Sequence, residues 1–148
     1  MFKKDEAFHA QAKTLPEYEI EKSFEELVFA RASEEIPDFY ELCFPWELES
    51  TMTKSEFYSA MEKGKNIFSI DEALAIIRKN TLGQSRGEEG FLDLLKNNVI
   101  CTHDGDKRII IYVSLTIGKK WRLKAEVDNY PLVAFQKGLR IFMRNSIR

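Results

Sequence analysis

At Val99 the hydrophobic period of the chain changes from helical spacing to strict alternation. Ile109, Ile111, Val113, Leu115 and Ile117 alternate with mostly less apolar residues. Trp121, Leu123, Ala125 and Val127 then alternate with Lys120, Arg122, Lys124 and Glu126. Alternation sends one set of side chains to one face of a sheet and the other set to the opposite face. Asp104-Gly105, ahead of the first run, is a strong hairpin dipeptide. Directly opposed residues share a face, so only an odd-length loop keeps both apolar sets together. A three-residue loop, Gly118-Lys119-Lys120, would oppose Ile117 to Trp121, Leu115 to Leu123 and Val113 to Ala125. That closes a meander of three antiparallel strands, although such loops ordinarily place glycine last rather than first.

The segment before Val99 reads as helical. Residues 1–15 form a loose lead-in. Pro16, the acidic Glu17, Glu19 and Glu21, and the stripe Ile20, Phe24, Leu27 and Val28 predict a helix from about 16 to 34. Phe39 to Leu48 is rich in aromatic and apolar residues, and a short helix there should stop before Pro45. Thr53 with Glu56 and Ser69 with Glu72 have the spacing of capping boxes. They predict helices ending near Gly64 and Asn80. After the glycine-rich "LGQSRGEEG", Phe91, Leu92, Leu94 and Leu95 suggest a further helix over about 88–98. At the other end, Leu132, Phe135, Leu139, Phe142 and Met143 form one stripe over 130–147. Lys137, Arg140, Arg144 and Arg148 form another. The expected fold is α+β in one domain over 1–148: a mainly helical part over 16–98, then a three-stranded antiparallel meander and a C-terminal helix.

The helix over 70–80, the glycine turn, the helix over 88–98 and the Asp104-Gly105 hairpin together resemble a winged helix across 69–117. The resemblance is topological and rests on no specific motif. It implies DNA contact through the second helix, but that helix opens with Glu88 and Glu89 and has Lys96 as its one basic residue. A major-groove helix carries Arg, Lys, Asn or Gln in its early turns. The resemblance therefore leaves DNA contact to the wing and the basic tail, or assigns the module to a protein partner.

Charge is unevenly spread. Residues 1–50 hold 5 Lys/Arg and 13 Asp/Glu, residues 51–98 hold 7 of each, and residues 99–148 hold 10 and 4. The two ends are thus net −8 and +6, within a total of −2. An end of one sign suits a partner of the other sign, or the two ends face each other. On the predicted hairpin Arg108, Tyr112, Lys120, Arg122 and Lys124 lie on the solvent side, and Lys137, Arg140 and Arg144 project from the last helix. Phosphate backbones reward such a surface, and Tyr112 is placed to stack a base.

Signatures of catalysis are sparse. Cys101, His103, Asp104 and Asp106 cluster in sequence, but Asp-Gly is explained by turn geometry. "GQSRGEEG" is not a P-loop. Lys124-x-Glu126 reverses the order many nucleases use, and no zinc spacing occurs. No cofactor or metal is expected. No apolar run reaches the ~18 residues of a membrane span. The N-terminus lacks the apolar core of a secretory signal. The two cysteines, in no CxxC, suit free thiols in the cytoplasm. The leading expectation is a non-catalytic binding protein whose basic C-terminal face meets nucleic acid. The alternative is an inhibitor or immunity-type protein that uses its acidic N-terminal half against a basic partner. A small nuclease-like enzyme ranks third.

Overall fold

Both capping boxes form, and each opens a helix. Thr53 accepts from the Glu56 backbone N–H while the Glu56 side chain returns to the Thr53 N–H, and Ser69 and Glu72 repeat the exchange. The computed structural model describes residues 1–9, 16–38, 43–105, 107–128 and 134–144. In chain order the elements are β1 (Phe2–Lys3), α1 (Lys4–Phe8), β2 (Tyr18–Ile20), α2 (Lys22–Leu27) with a 3-10 turn Phe29–Arg31, β3 (Glu35–Ile36), β4 (Cys43–Glu47), β5 (Met52–Thr53), α3 (Lys54–Lys63), β6 (Phe68–Ser69), α4 (Ile70–Ser85), β7 (Asn98–Asp104), β8 (Lys107–Leu115), β9 (Trp121–Val127), β10 (Ala134–Phe135) and β11 (Arg140–Arg144).

A seven-stranded mixed sheet organises the chain. Its order is β2-β9-β8-β7-β11-β4, with β6 also paired to β7. The fold is α+β, but it is neither mainly helical before residue 98 nor closed by a C-terminal helix. The winged-helix arrangement is absent too, because β7 and β8 lie in the middle of this larger sheet and α4 is followed by a loop.

Each correction has a physical cause. Residues 18–20, expected in the first helix, pair parallel to β9, with Tyr18 opposite Trp121 and Ile20 opposite Leu123. That helix shrinks to α2. Pro45, expected to end a short helix, lies in β4, an edge strand, where a missing N–H is tolerated. Residues 39–42 lie outside the described residues. In the expected last helix, Gly138 sits at φ 91, which breaks any helix there. β11 follows it, antiparallel to β4 and parallel to β7. Ile141 and Phe142 are consecutive and both fully buried, because β11 is covered on both faces. Such a strand loses its alternation and imitates helical spacing. Leu132 and Arg148 lie outside the described residues.

The expected helix over 88–98 is a loop held by side chains. The Gln84 amide bonds both the N–H and the C=O of Leu92, Asn98 bonds the N–H and C=O of Asp93, and Asn80 accepts from the Phe91 N–H. Amide side chains that satisfy the backbone locally compete with helix formation. A Cβ at Gly90 would come within 2.4–2.6 Å of the Gln84 side chain and force it to shift.

The meander strands pair antiparallel, with Leu115 opposite Trp121, Val113 opposite Leu123 and Ile111 opposite Ala125. The parity matches the sequence pattern, but the register differs by two residues. The loop is Thr116 to Lys120, closed by Thr116 N–H to Lys120 C=O at 2.8 Å, with Lys119 at φ 61. Ile117 therefore leaves the core and is fully exposed. In the β7–β8 hairpin Asp104 pairs with Lys107, so Gly105 at φ 61 is a central turn residue.

The sheet has a core on each side. Phe24, Val28, Leu74, Ile77, Ile109, Ile111, Val113, Trp121 and Leu123 pack on one face with α1, α2 and α4. On the other, Val99, Cys101, Ile110 and Ile141 pack with Phe57, Tyr58 and Met61 of α3 and with Phe135. Leu123→Ala is expected to cost roughly 2–4 kcal/mol in denaturant melts, as emptied core sites do. Ile117→Ala should stay within about 0.5 kcal/mol. Equal losses would contradict the register.

α3 ends in a Schellman motif: Asn66 N–H bonds Met61 C=O at 2.7 Å and Lys65 N–H bonds Glu62 C=O at 3.1 Å. The left-handed position is held by Lys65, φ 59, where glycine is the usual residue. Lys65→Gly should raise stability by about 1 kcal/mol, read from the denaturation midpoint.

Candidate functional site

The even-numbered side of the hairpin was expected to face solvent. Its middle does not. Tyr112 is opposite Lys124 and Ile110 opposite Glu126, and α3 with β5 and β10 covers Ile110 and Tyr112. Ile110 is fully buried and Tyr112 half-buried. The Tyr112 hydroxyl donates to Glu126, which also pairs with the ammonium of Lys54, and the Tyr112 ring meets Phe135 edge-on at 6.1 Å. Burial, and then the bond to Glu126, hold the Tyr112 phenol well above its ordinary 10.0. Tyr112 is therefore a structural donor rather than an open stacking platform. Glu126, half of the reversed nuclease-like pair with Lys124, is engaged by two partners.

The predicted cations divide into paired arginines and unpaired lysines. Arg122 reaches Glu19 at 3.3 Å and Glu21 at 3.8 Å across the β2–β9 pairing. Arg108 reaches Glu62 at 3.1 Å and Asp128 at 3.7 Å. Arg140 reaches Glu47 at 3.8 Å and donates to the Phe91 carbonyl, and Arg144 reaches Glu72 at 2.6 Å. Arg140 and Arg144 are on β11, not on a helix. Lys120, Lys124 and Lys137 are exposed and have no carboxylate partner among the described residues. Arg122 and Arg140 thus pair with carboxylates of the acidic N-terminal segment, whereas Arg108 and Arg144 pair with carboxylates outside it.

Three surface features remain. The first is a groove of about 300 Å³ that brings together Tyr112, Arg122 and Lys124 with Lys96, Asn97 and Glu21. Lys120 is outside it, in a separate concavity beside Pro16 and Glu17. The second is the loop before β7. Only Leu92 of its apolar residues is buried, whereas Phe91 is 41% exposed, Leu94 51% and Leu95 94%. Leu95 lies on the rim of the first groove. The third is a larger cleft of about 630 Å³ beside the β7–β8 hairpin, lined by Tyr58, Glu62, Lys65, His103, Lys107, Arg108 and Arg144. Arg108 and Arg144 were anticipated as surface cations, not as neighbours. Lys65 and Lys107 gave no signal beyond their charge, because the cleft is assembled from α3, the hairpin and β11. Phe91, Leu94 and Leu95 were legible as apolar but misread as a helix face.

No group of three His, Cys, Asp or Glu among the described residues has the geometry to hold a metal ion. Cys101 is buried in the second core, His103 is exposed, and Asp104 pairs with Arg31 at 2.9 Å, while Asp106 lies outside the described residues. No helix among the described residues is long and apolar enough to cross a membrane. No protein-family model matches the chain, and no curated protein or solved structure matches it significantly.

Burial also raises Tyr58 from 10.0 and Cys101 from 9.0, the latter helped by Asp128. These groups hold their protons in the folded state and release them when unfolded. Their stabilisation is complete below their ordinary values and is lost as pH rises beyond them. Denaturation midpoints should therefore fall from about pH 9 upward, first through Cys101 and then through Tyr58 and Tyr112. Cys101→Ala should flatten the part of the profile nearest pH 9. A profile unchanged by that substitution would contradict the burial of the thiol.

Proposed function

We propose that this protein is a non-catalytic protein-binding module of the inhibitor or immunity type, and that the loop between α4 and β7 is its docking surface. The observation that carries this reading is the exposure of Phe91, Leu94 and Leu95 on a loop whose backbone is pinned by Gln84, Asn80 and Asn98. A rigid loop loses little conformational freedom on binding, and exposed apolar side chains in a polar rim are how protein interfaces are built. Glu88, Glu89 and Asp93 neighbour them in sequence, against Lys96 and the Arg140 that bonds the Phe91 carbonyl, which gives the loop an acidic balance suited to a basic partner. The acidic N-terminal strand is less suited to that role, because Glu19 and Glu21 already face Arg122. Cys43 and Cys101 form no disulfide with each other, which suits a reducing compartment, and we propose a cytoplasmic location.

Cross-linking of the tagged protein in its native cells tests this reading. The double substitution Leu94→Asp with Leu95→Asp should abolish partner recovery while leaving the melting curve unchanged, since neither side chain is in the core. Gly90→Ala should weaken recovery more mildly by displacing Gln84. Recovery of the same partner by the double variant would refute the docking loop.

A second reading, nucleic-acid binding by the groove, is favoured by the convergence there of Lys96, Arg122 and Lys124. Arg122 is already paired, so two or three phosphates is the ceiling. Fluorescence anisotropy with labelled oligonucleotides should then give a log–log salt slope no steeper than about −2.7. Lys124→Gln should weaken every sequence equally. Absence of binding at about 50 mM salt and micromolar protein rules this reading out, because non-specific binders register there.

A further inference from the structure

We infer that the cleft beside the β7–β8 hairpin binds the phosphate group of a small phosphorylated ligand. It is at the opposite end of β8 from the docking loop: Arg108 and Ser114 are six residues apart, roughly 20 Å along an extended strand. The inference is therefore independent of the function proposed above.

Four cations line this one concavity, Lys65, Lys107, Arg108 and Arg144, against one lining carboxylate among the described residues, Glu62. Glu62 is held by Arg108 at 3.1 Å, so much of its charge is neutralised before any ligand arrives. The two guanidinium groups are fixed in place. Arg108 lies over the Tyr58 ring at 5.0 Å and Arg144 over the Phe68 ring at 4.6 Å. Arg108 bonds Glu62 and Asp128 and Arg144 bonds Glu72, so an incoming oxyanion would meet charge-assisted donors already held in place. The ammonium groups of Lys65 and Lys107 have no carboxylate partner among the described residues. Like charges gathered in a concave, partly apolar site repel one another unless an anion joins them, and such a site focuses the field that attracts one.

Lys65 makes the strongest case. It occupies a left-handed backbone position at φ 59, where glycine would be more stable, and it lines the cleft. The fold does not ask for a lysine there. A phosphate dianion matches two ammonium groups backed by two aromatic-stacked guanidinium groups. A volume of about 630 Å³ leaves room for the organic body of the ligand as well.

Amide NMR of the full-length protein tests the inference, with inorganic phosphate and a sugar phosphate titrated separately at low ionic strength. Saturable shifts centred on Lys65, His103, Gly105 and Lys107 are expected with either probe, and tighter saturation by the sugar phosphate would mean that the body is also held. The unphosphorylated sugar should produce none. Lys65→Gly should weaken binding roughly tenfold, as loss of one charge-assisted contact does, while the protein becomes more stable, so unfolding cannot explain the loss. Lys107→Gln should act similarly, and Lys124→Gln, in the other groove, should leave binding unchanged. Shifts that grow without saturation at lysines all over the surface, or an affinity unaltered by Lys65→Gly, would overturn the inference.

Discussion

β7 is buried on both of its faces. Asn98, Val99, Ile100, Cys101 and Thr102 are all sequestered in unbroken succession, and the rest of the molecule is arranged to make that tolerable. An interior strand needs a covering layer on each side and partners along both edges. α4 and α2 supply one layer, and α3 with the short β5–β10 pair supplies the other. β8 pairs along one edge, and β11 and β6 share the other. Its two buried polar side chains are satisfied in turn. Asn98 bonds the Asp93 backbone and the Val113 carbonyl, and the Thr102 hydroxyl donates to the Ile109 carbonyl. A buried amide without partners would be costly, so the loop that meets Asn98 is shaped by the need to satisfy it.

The same sheet disposes of the charge asymmetry. Because β2 pairs parallel to β9, Glu19 stands opposite Arg122 in register, and the acidic end of the chain neutralises part of its basic end. Most of these pairs are exposed and individually contribute little, about 0–1 kcal/mol. Their consequence lies in recognition. An arginine that already faces a carboxylate must exchange that partner for a phosphate, so the gain from a polyanion is reduced. Lys120 and Lys124 have no carboxylate partner among the described residues, and they lie in separate grooves rather than in one stripe.

Local chemistry was legible in the sequence, and long-range pairing was not. Thr53 and Ser69 announced α3 and α4 because a capping box is completed within four residues. The parity of β8 and β9 was legible because Leu123 and Val113 must share a face wherever the loop falls, but the loop length was not. Lys119 accepts a left-handed backbone, which lengthened the turn to five residues and released Ile117. β11 was read as a helix because Ile141 and Phe142 are buried on opposite faces, which removes the alternation by which strands are recognised. Gly138 was the available signal against that helix. Of the candidate site, the identity of Arg108, Arg122, Lys124 and Arg144 as polar, chemistry-bearing positions could be read. Their carboxylate partners could not, since Glu19 and Arg122 are 103 residues apart.

Pairing also bears on which parts of the surface are available for function. Where a polar group has a partner in the folded chain, its presence is explained by the fold. Tyr112 bonds Glu126, Glu126 holds Lys54, and Arg122 faces two glutamates, so each satisfies the chain itself. Phe91, Leu94 and Leu95 are different. Their loop is held by hydrogen bonds from Gln84, Asn80 and Asn98, and none of these bonds requires an apolar side chain at the exposed positions. Lys65 is different in the same sense, because the turn it occupies favours glycine. Residues that the fold would replace at no loss, or at a gain, are the ones whose presence needs a ligand or a partner to explain it. By that criterion the loop between α4 and β7 and the cationic cleft stand apart from the basic hairpin face, whose middle is covered and whose arginine is already paired.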